Sequence, residues 1–150
     1  MDFTILQTNS NNADFSYLVN LLDEDLYLRY GEMQKKYDKY NKVNFINDVV
    51  IIYENSIPIA CGAIKEYDNA SMELKRIFVK KEYRSKGLAK LLISKLEEIS
   101  AKRNYTCLIL QTGSKQPEAI SLYKNLGYKI IDNYPPYIDD SNSICMKKML

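Results

Sequence analysis

Residues 72–100 read MELKRIFVKKEYRSKGLAKLLISKLEEIS and contain three patterns in succession. The first nine residues carry apolar side chains on both parities, which predicts a strand whose two faces are both covered. Leucine and isoleucine then recur at helical spacing from about Lys86 to Arg103. The segment RSKGLA lies between them and contains the glycine of a strand-to-helix turn. The order strand, glycine turn, amphipathic helix is therefore the first indication of an α/β fold.

The turn at 84–89 has two physical interpretations. A helix N-terminus presents unpaired N–H groups and a partial positive charge, so it can hold an anion such as a pyrophosphate. Gly87 allows close backbone approach, Ala89 keeps the next turn open, and Arg84 and Lys86 add charge. The alternative is a simple turn with solvated basic side chains. Neither the P-loop nor the dinucleotide fingerprint matches, because each needs a second glycine, so both interpretations stay open on these residues alone.

Length and composition predict one ordinary globular domain spanning 1–150. The chain has 150 residues, of which 46% are hydrophobic and 27% charged. A net charge of +2 argues against nucleic acid and anionic membranes as partners. The sequence lacks an apolar run long enough to cross a bilayer, and residues 1–10 do not resemble a secretion signal. We therefore expect a cytoplasmic protein, either a monomer or a homodimer.

The cysteine and histidine content limits the kinds of catalytic and metal site that the chain can form. Cys61, Cys107 and Cys145 are isolated in apolar segments, which predicts buried thiols in a reducing compartment rather than a disulfide or a metal site. The chain contains no histidine, which removes histidine-based nucleophilic catalysis and histidine metal ligands. We expect no metal, and any acid–base chemistry must come from carboxylates, lysines, tyrosines or thiols.

Hydrophobic periodicity assigns the rest of the chain to short strands and helices. The dipeptide NS at 55–56 predicts a hairpin turn, and Pro117 and Gly127 mark the ends of a helix. The resulting order, β-α-α-β-β-β-α-β-α-β-β, indicates a mixed sheet of about seven strands flanked by about four helices. The predicted strands are 3–8, 48–54, 57–67, 72–80, 106–112, 128–132 and 143–149, and the predicted helices are 14–29, 32–41, 86–103 and 117–126.

Two segments together resemble the GNAT superfamily of acyl-CoA N-acyltransferases. The first is similar to motif A of that family, a strand followed by [R/Q]-x-x-G-x-[G/A] and a helix, with Arg84, Gly87 and Ala89 at the defining positions. The second, EAISLYKNLGY at 118–128, is similar to motif B, A-x-x-L-Y-x-x-x-G-[YF]. The order of elements also agrees with a GNAT-like fold. The specific motifs cover about 72–131.

The resemblance implies acetyl-CoA as co-substrate and a set of binding residues. The pyrophosphate would lie on the backbone amides of Ser85, Lys86, Gly87, Leu88 and Ala89, with the side chains of Arg84, Lys86 and Lys90 as secondary partners. The pantetheine arm would lie between two splayed parallel strands, 72–80 and 106–112, and pair with the main chain of Ile77, Phe78 and Val79. Family members often carry Asn three residues before the motif B alanine. Gln116 stands there in this chain, which leaves that cofactor contact open.

Two catalytic candidates also follow from the resemblance. Tyr123 stands at the general-acid position of the family, where it would protonate the departing thiolate; the alternative is a packed helix tyrosine. Glu73 is the candidate base that deprotonates the amine, directly or through water. A structural ion pair of Glu73 with Lys75 or Arg76 is an equal alternative.

The acceptor amine is not specified by the sequence. Residues 134–137 (YPPY) form a stiff aromatic turn, which would either wall an acceptor site or simply connect two strands. Asp139 and Asp140 would attract a cationic amine if they face that site. The expected function is acetyl transfer from acetyl-CoA to a primary amine of a small molecule by direct attack in a ternary complex. The alternatives are a non-catalytic acyl-CoA-binding regulatory module and an acetyltransferase acting on protein or tRNA.

Overall fold

A computed structural model of the chain describes residues 2–41 and 45–150. Within these residues the chain forms seven strands and four α-helices in the predicted order. Their bounds are β1 Phe3–Thr8, α1 Ala13–Tyr30, α2 Gln34–Asn41, β2 Asp48–Glu54, β3 Ile57–Glu66, β4 Ser71–Val79, α3 Leu88–Lys102, β5 Cys107–Gly113, α4 Pro117–Asn125, β6 Lys129–Ile131 and β7 Ser143–Met149. The mixed α/β fold expected from the sequence is confirmed.

The seven strands form one sheet in the order β1-β2-β3-β4-β5-β7-β6. β4 and β5 run parallel, whereas β1 with β2, β2 with β3, β5 with β7, and β6 with β7 are antiparallel. The chain divides into two compact units, Met1–Lys65 with Lys75–Leu96, and Glu66–Leu74 with Glu97–Leu150. β4 therefore contributes its first residues to the second unit and its remainder to the first.

The core of the first unit lies between α1 and the inner strands. Phe15, Leu18 and Leu22 recur at helical spacing and are buried with side chains of β2 and β3. The Asn12 side chain caps α1 by accepting hydrogen bonds from the N–H groups of Asp14 and Phe15. The cap fixes the start of α1, whose buried face packs on side chains of β2 and β3.

Gly62 on β3 lies in close contact with side chains of β4 and α3. A Cβ atom at this position would lie 2.6 Å from Ile77 Cδ1 and 3.0 Å from Leu96 Cδ1. Because both atoms are the ends of flexible side chains, a larger residue would require these two side chains to shift.

The second unit is built around β5. Ser71, Met72 and Glu73 of β4 pair in parallel with Cys107, Leu108 and Ile109, and the whole of β5 pairs with β7. The residues Leu108 and Leu110 are almost completely buried, as expected for a strand paired on both edges. Candidate base Glu73 thus stands on a strand whose backbone is held by its neighbour.

Two helices begin later than the sequence pattern predicts, and both have a backbone reason. The predicted helix 32–41 starts with a 3₁₀ turn at Gly31–Met33, because Gly31 ends α1 at a φ of 55°. The predicted helix 86–103 starts only at Leu88, because Gly87 adopts a φ of 79°. A residue with positive φ cannot continue a right-handed helix.

Candidate active site

The loop between β4 and α3 has the backbone shape of an anion site. Ser85 and Gly87 both adopt positive φ, 63° and 79°, with Lys86 between them. Alternation of this kind turns successive N–H groups toward one side of the loop. Ser85, Lys86 and Gly87 are exposed, and a Cβ atom added at Gly87 would meet nothing within 4 Å. The open space beside Gly87 is the room that a phosphate oxygen needs.

The first turn of α3 supplies further donors. The helical hydrogen bonds of α3 start with Leu91 N–H donating to the Gly87 carbonyl at 3.1 Å. The N–H groups of Leu88, Ala89 and Lys90 precede that bond and lack a carbonyl one turn back within the helix. Leu88 is buried in the core, so this end of the helix is held firmly. The fold thus places the predicted pyrophosphate residues, from Ser85 to Lys90, on one continuous loop and helix start.

Arg84 points back to the strand rather than out to the ligand side. Its Nε donates to the Val79 carbonyl at 2.9 Å, and its guanidinium lies 5.8 Å from the centre of the Phe78 ring. A guanidinium nitrogen also lies 3.8 Å from Asp25 Oδ2. Arg84 therefore fastens the loop to the end of β4. It also occupies a lone pair of one of the carbonyls expected to pair with pantetheine.

β4 contains a backbone irregularity that the sequence did not predict. Arg76 has a φ of 59°, although it lies in the middle of a strand. Its side chain is 7% exposed and donates to Asp23 Oδ1 at 2.7 Å, and Cys61 Sγ donates to its carbonyl at 3.5 Å. The strand thus changes direction immediately before Ile77, Phe78 and Val79, and an ion pair to α1 holds the irregular residue.

The Tyr123 side chain is buried on α4, and its hydroxyl has no hydrogen-bond partner among the described residues. The side chain is 8% exposed, and its ring packs edge-to-face on Tyr128 with centroids 5.8 Å apart. Burial raises the pKa of Tyr123 above the ordinary tyrosine value, so the hydroxyl stays protonated well into the alkaline range. Among residues 2–41 and 45–150, no hydrogen-bond partner reaches this hydroxyl. Among the described side chains only Glu54 Oε2 is a fully buried polar atom without a partner, so the unpartnered Tyr123 hydroxyl is accessible and can bind a ligand atom.

The Tyr128 hydroxyl, unlike that of Tyr123, has a hydrogen-bond partner in the protein. Its hydroxyl donates to Glu97 Oε2 at 2.9 Å, and Lys148 Nζ lies 3.0 Å from the same carboxylate. Burial, followed by the charge of Glu97, raises the pKa of Tyr128. Tyr128 is thus fixed as a structural tyrosine beside Tyr123.

Glu73 accepts a hydrogen bond from Tyr134. The Tyr134 hydroxyl lies 2.7 Å from Glu73 Oε2, although the two residues are 61 positions apart in sequence. Burial, and then the nearby charge of Glu73, raises the pKa of Tyr134, which keeps this hydroxyl a donor. Of the two ion-pair partners that the sequence suggested, Arg76 pairs with Asp23, whereas a pair of Glu73 with Lys75 stays a prediction.

The turn at 134–137 is an aromatic cluster joined to this carboxylate. The Tyr134 ring makes edge contacts with Tyr67 at 5.0 Å and Tyr137 at 5.8 Å between centroids. Asp140 is 7% exposed and accepts from Ser143 Oγ at 2.7 Å. The expectation that Asp140 attracts a free amine is therefore replaced by a role inside the loop, whereas Asp139 is exposed.

Gln116 closes the turn between β5 and α4. Its Oε1 accepts from the N–H of Gly113 at 3.2 Å, and its own N–H donates to the Gly113 carbonyl at 3.0 Å. These two bonds give the glutamine a structural role. Its predicted contact with the cofactor stays a prediction.

The predicted site residues fall into two groups. Ile77, Phe78 and Val79 and the loop 84–90 lie in the first unit, whereas Glu73, Gln116 and Tyr123 lie in the second. The sequence does not predict the hydrogen bond from Tyr134 to Glu73, because the sequence pattern shows Tyr134 only as part of a turn.

Among the described side chains, no three His, Cys, Asp or Glu residues are grouped to hold a metal ion.

Of the helices in residues 2–41 and 45–150, none combines the length and apolarity needed to cross a bilayer.

Comparison with known proteins identifies the family. Residues 14–128 match the family model described as Acetyltransferase (GNAT) family, which covers both motifs. The chain belongs to the GNAT acetyltransferase family.

A relative and two solved structures show how far the likeness extends. The uncharacterized N-acetyltransferase YsnE of Bacillus subtilis is 35% identical over 92 residues, 60% of this chain and 61% of that protein. A Klebsiella pneumoniae protein designated an acyl-CoA N-acyltransferase has a TM-score of 0.80 at 25% identity, covering 99% of this chain and 97% of that one. The PaiA N-acetyltransferase of Thermoplasma acidophilum, solved with coenzyme A, has a TM-score of 0.77 at 20% identity and covers both chains completely, 100% each.

The match to curated relatives is partial in length. The matched segment spans 61% of the Bacillus subtilis relative and 35% of an uncharacterized N-acetyltransferase of Dictyostelium discoideum. The family model therefore establishes the family, and the likeness to the Thermoplasma acidophilum structure establishes the fold.

Proposed function

We propose that the protein transfers an acetyl group from acetyl-CoA to a primary amine of a small molecule, by direct attack in a ternary complex. The observation that carries the proposal is the hydroxyl of the buried Tyr123 side chain, which is protonated and has no partner among the described residues. The resemblance to motif B implies that this tyrosine is the general acid, and the chain belongs to the acetyltransferase family in which that motif occurs. A reducing, cytoplasmic setting is part of the proposal and is supported by three buried free thiols.

Acetyl-CoA would bind through the loop and the end of β4. The open space at Gly87 and the amides from Leu88 to Lys90, which precede the first hydrogen bond of α3, fit a pyrophosphate in shape and charge. Exposed Lys86 and Lys90 add positive charge. The main chain of Ile77, Phe78 and Val79 would pair with the pantetheine amides. The coenzyme A in the Thermoplasma acidophilum relative supports this choice of co-substrate.

The proposed reaction balances with two acid–base residues. Acetyl-CoA supplies the acyl group as a thioester. Glu73 takes one proton from the ammonium form of the acceptor, because only the neutral amine is nucleophilic. As the nitrogen forms a bond to the carbonyl carbon and the carbon–sulfur bond breaks, Tyr123 donates its proton to the sulfur. The nitrogen then gives its second proton back to Tyr123, leaving an amide and a free thiol.

The test is turnover of acetyl-CoA with a panel of defined amines, namely a polyamine, an arylethylamine and an amino sugar. Coenzyme A release is followed by chromatography, and acetyl-CoA binding is measured separately by calorimetry. We expect binding together with amine-dependent release. Binding without release on any amine would indicate the non-catalytic acyl-CoA-binding module instead. The absence of both acetyl-CoA binding and coenzyme A release would reject the proposal.

Macromolecular acceptors are weaker candidates. A tRNA acceptor needs a strongly basic surface, and the chain carries only 21 Lys and Arg against 19 Asp and Glu. Retention of tRNA by the protein at moderate salt would revive that alternative, and acetylation of a lysine peptide in place of small amines would favour a protein acceptor. The oligomeric state, monomer or homodimer, stays a prediction.

A further inference from the structure

Tyr134 is a hydrogen-bond partner of the candidate base Glu73. Its hydroxyl donates to Glu73 Oε2 at 2.7 Å, within the range of a charge-assisted O–H···O⁻ hydrogen bond. Both residues belong to the second unit, and Glu73 lies on the part of β4 that pairs with β5. The donor and the acceptor are therefore both attached to ordered backbone.

The surroundings of Tyr134 hold its ring in one place. Edge contacts with Tyr67 and Tyr137 fix the ring on two sides. The preceding residue, Asn133, donates through Nδ2 to the carbonyls of Tyr137, Asp140 and Ser143 at 3.0 to 3.2 Å. A side chain held by its neighbours and by an anchored loop loses little further freedom when it binds a carboxylate.

The hydroxyl of Tyr134 is what distinguishes it from an aromatic residue that only packs. A tyrosine that only packs would do so equally well as phenylalanine, and its buried hydroxyl would be a desolvation cost. Here the hydroxyl donates to the Glu73 carboxylate, and hydrogen bonds to charged groups are among the stronger ones in proteins. The hydrogen bond therefore orients the carboxylate.

We propose that Tyr134 is a positioning residue that orients Glu73 for proton abstraction from the acceptor amine. The inference rests on the proposed acetyl transfer and on Glu73 as its base. Tyr134 keeps its own proton throughout. It acts by fixing the direction of the carboxylate that receives the proton of the ammonium group.

The decisive variant is Tyr134→Phe, which removes the hydroxyl and keeps the ring. We expect kcat to fall about tenfold with the KM for acetyl-CoA unchanged, as loss of a hydrogen bond to a charged group predicts. Incorporating 3-fluorotyrosine at position 134 restores ring and donor, and should return kcat to within about twofold of the original value.

Two controls separate positioning from packing. Tyr67→Phe changes the same aromatic cluster, but its hydroxyl donates to the Pro135 carbonyl at 3.3 Å rather than to Glu73, so kcat should change less than about twofold. In a Glu73→Gln background, Tyr134→Phe should add nothing, because two residues acting through one step are not additive.

The outcomes distinguish this inference from the proposed function. An active wild-type enzyme whose Tyr134→Phe variant keeps the original kcat overturns the inference alone. An equal loss in the Glu73→Gln background also overturns it, since Tyr134 would then act independently of Glu73. A wild-type protein that releases no coenzyme A with any amine of the panel overturns both.

Discussion

The hydroxyl of Tyr123 is the single atom whose removal should matter most for chemistry. Tyr123→Phe keeps the ring contact with Tyr128 and deletes a donor without a described partner, so the fold should be unaffected. We expect kcat to fall about 100-fold, the lower end of what a general acid contributes. The KM for acetyl-CoA should stay the same. Steady-state kinetics with the best amine of the panel measures both.

Tyr105→Phe is the matched control for that variant. Its hydroxyl donates to Glu66 at 2.7 Å in an exposed position, so the same atom is deleted at a site without a proposed role in the reaction. Kinetics identical to wild type are expected there. Equal losses in the two variants would contradict a specific acid role for Tyr123.

Gly87 is the residue on which cofactor affinity should depend. Its φ of 79° is strained for any side chain, and the space beside it is where a phosphate would approach. Gly87→Ala should weaken acetyl-CoA binding about tenfold or more, because the methyl group enters that space and the loop shifts to relieve about 1–2 kcal/mol of strain. Calorimetry measures the dissociation constant.

Gly31→Ala provides the comparison for backbone strain. Gly31 also has positive φ and open space, but it ends α1. Its substitution should lower the melting temperature and leave acetyl-CoA affinity unchanged. A loss of affinity in both variants would show that strain alone explains the effect at Gly87.

Among the elements, β4 should be the most sensitive to loss of an ion pair. Asp23→Asn leaves the guanidinium of Arg76, 7% exposed, without its charge partner at 2.7 Å. Breaking a buried pair costs about 3–5 kcal/mol, and we expect about 1–2 kcal/mol here because Asp23 is 47% exposed. Urea unfolding measures the change in the free energy of unfolding.

Asp25→Asn tests whether the cost belongs to that pair or to charge on α1 in general. Asp25 stands two residues further along the helix, and its contacts with Arg29 and Arg84 are at 3.8 Å. Exposed pairs of this kind contribute about 0–1 kcal/mol. An equal loss in both variants would contradict a special role for the Arg76 pair.

At the element scale, local pattern predicted most of the fold. The strands 3–8, 48–54 and 143–149 were predicted with their observed ends, because alternation and turn residues are read within the segment itself. The hairpin was also predicted correctly, and Asn55 and Ser56 both adopt the positive φ of a tight turn. The late starts of α2 and α3 were missed, since the pattern does not specify the φ of a glycine.

The parts of the site that were missed depend on distant residues. The φ of Arg76 has no local signal, because an arginine in an apolar strand normally reads as extended. The partner of Glu73 is 61 residues away, and which tyrosine reaches it depends on strand order and on the loop that Asn133 anchors. Family motifs supply Tyr123 and Gly87, but they do not include Tyr134.

The whole molecule should lose stability at alkaline pH. Burial raises the pKa of Tyr53 and of Cys61 to about 12, and raises those of Tyr123, Tyr128 and Tyr134 as well. In the unfolded chain these groups ionise near pH 9 to 10, so unfolding releases protons above that range. The stability present below about pH 9 is therefore lost progressively toward pH 12.

Thermal unfolding from pH 8 to pH 11 tests this prediction. We expect the melting temperature to fall by about 5 °C or more between pH 9 and 11, equivalent to about 2 kcal/mol for a chain of this size. Tyr53→Phe should make the decline shallower, because it removes one of the groups that shifts. A melting temperature that stays level to pH 11 would contradict the assignment of these tyrosines as buried and protonated.

The burial of the three cysteines has a practical consequence for measuring the reaction. Cys61, Cys107 and Cys145 are between 0% and 2% exposed, and burial raises the pKa of Cys61 to about 12 and also raises that of Cys145. A thiol reagent reacts with accessible thiolates, so the native protein should give it almost nothing to modify. Continuous colorimetric assays with an aromatic disulfide should then report only the sulfur released from the co-substrate, with a background that rises when the protein unfolds.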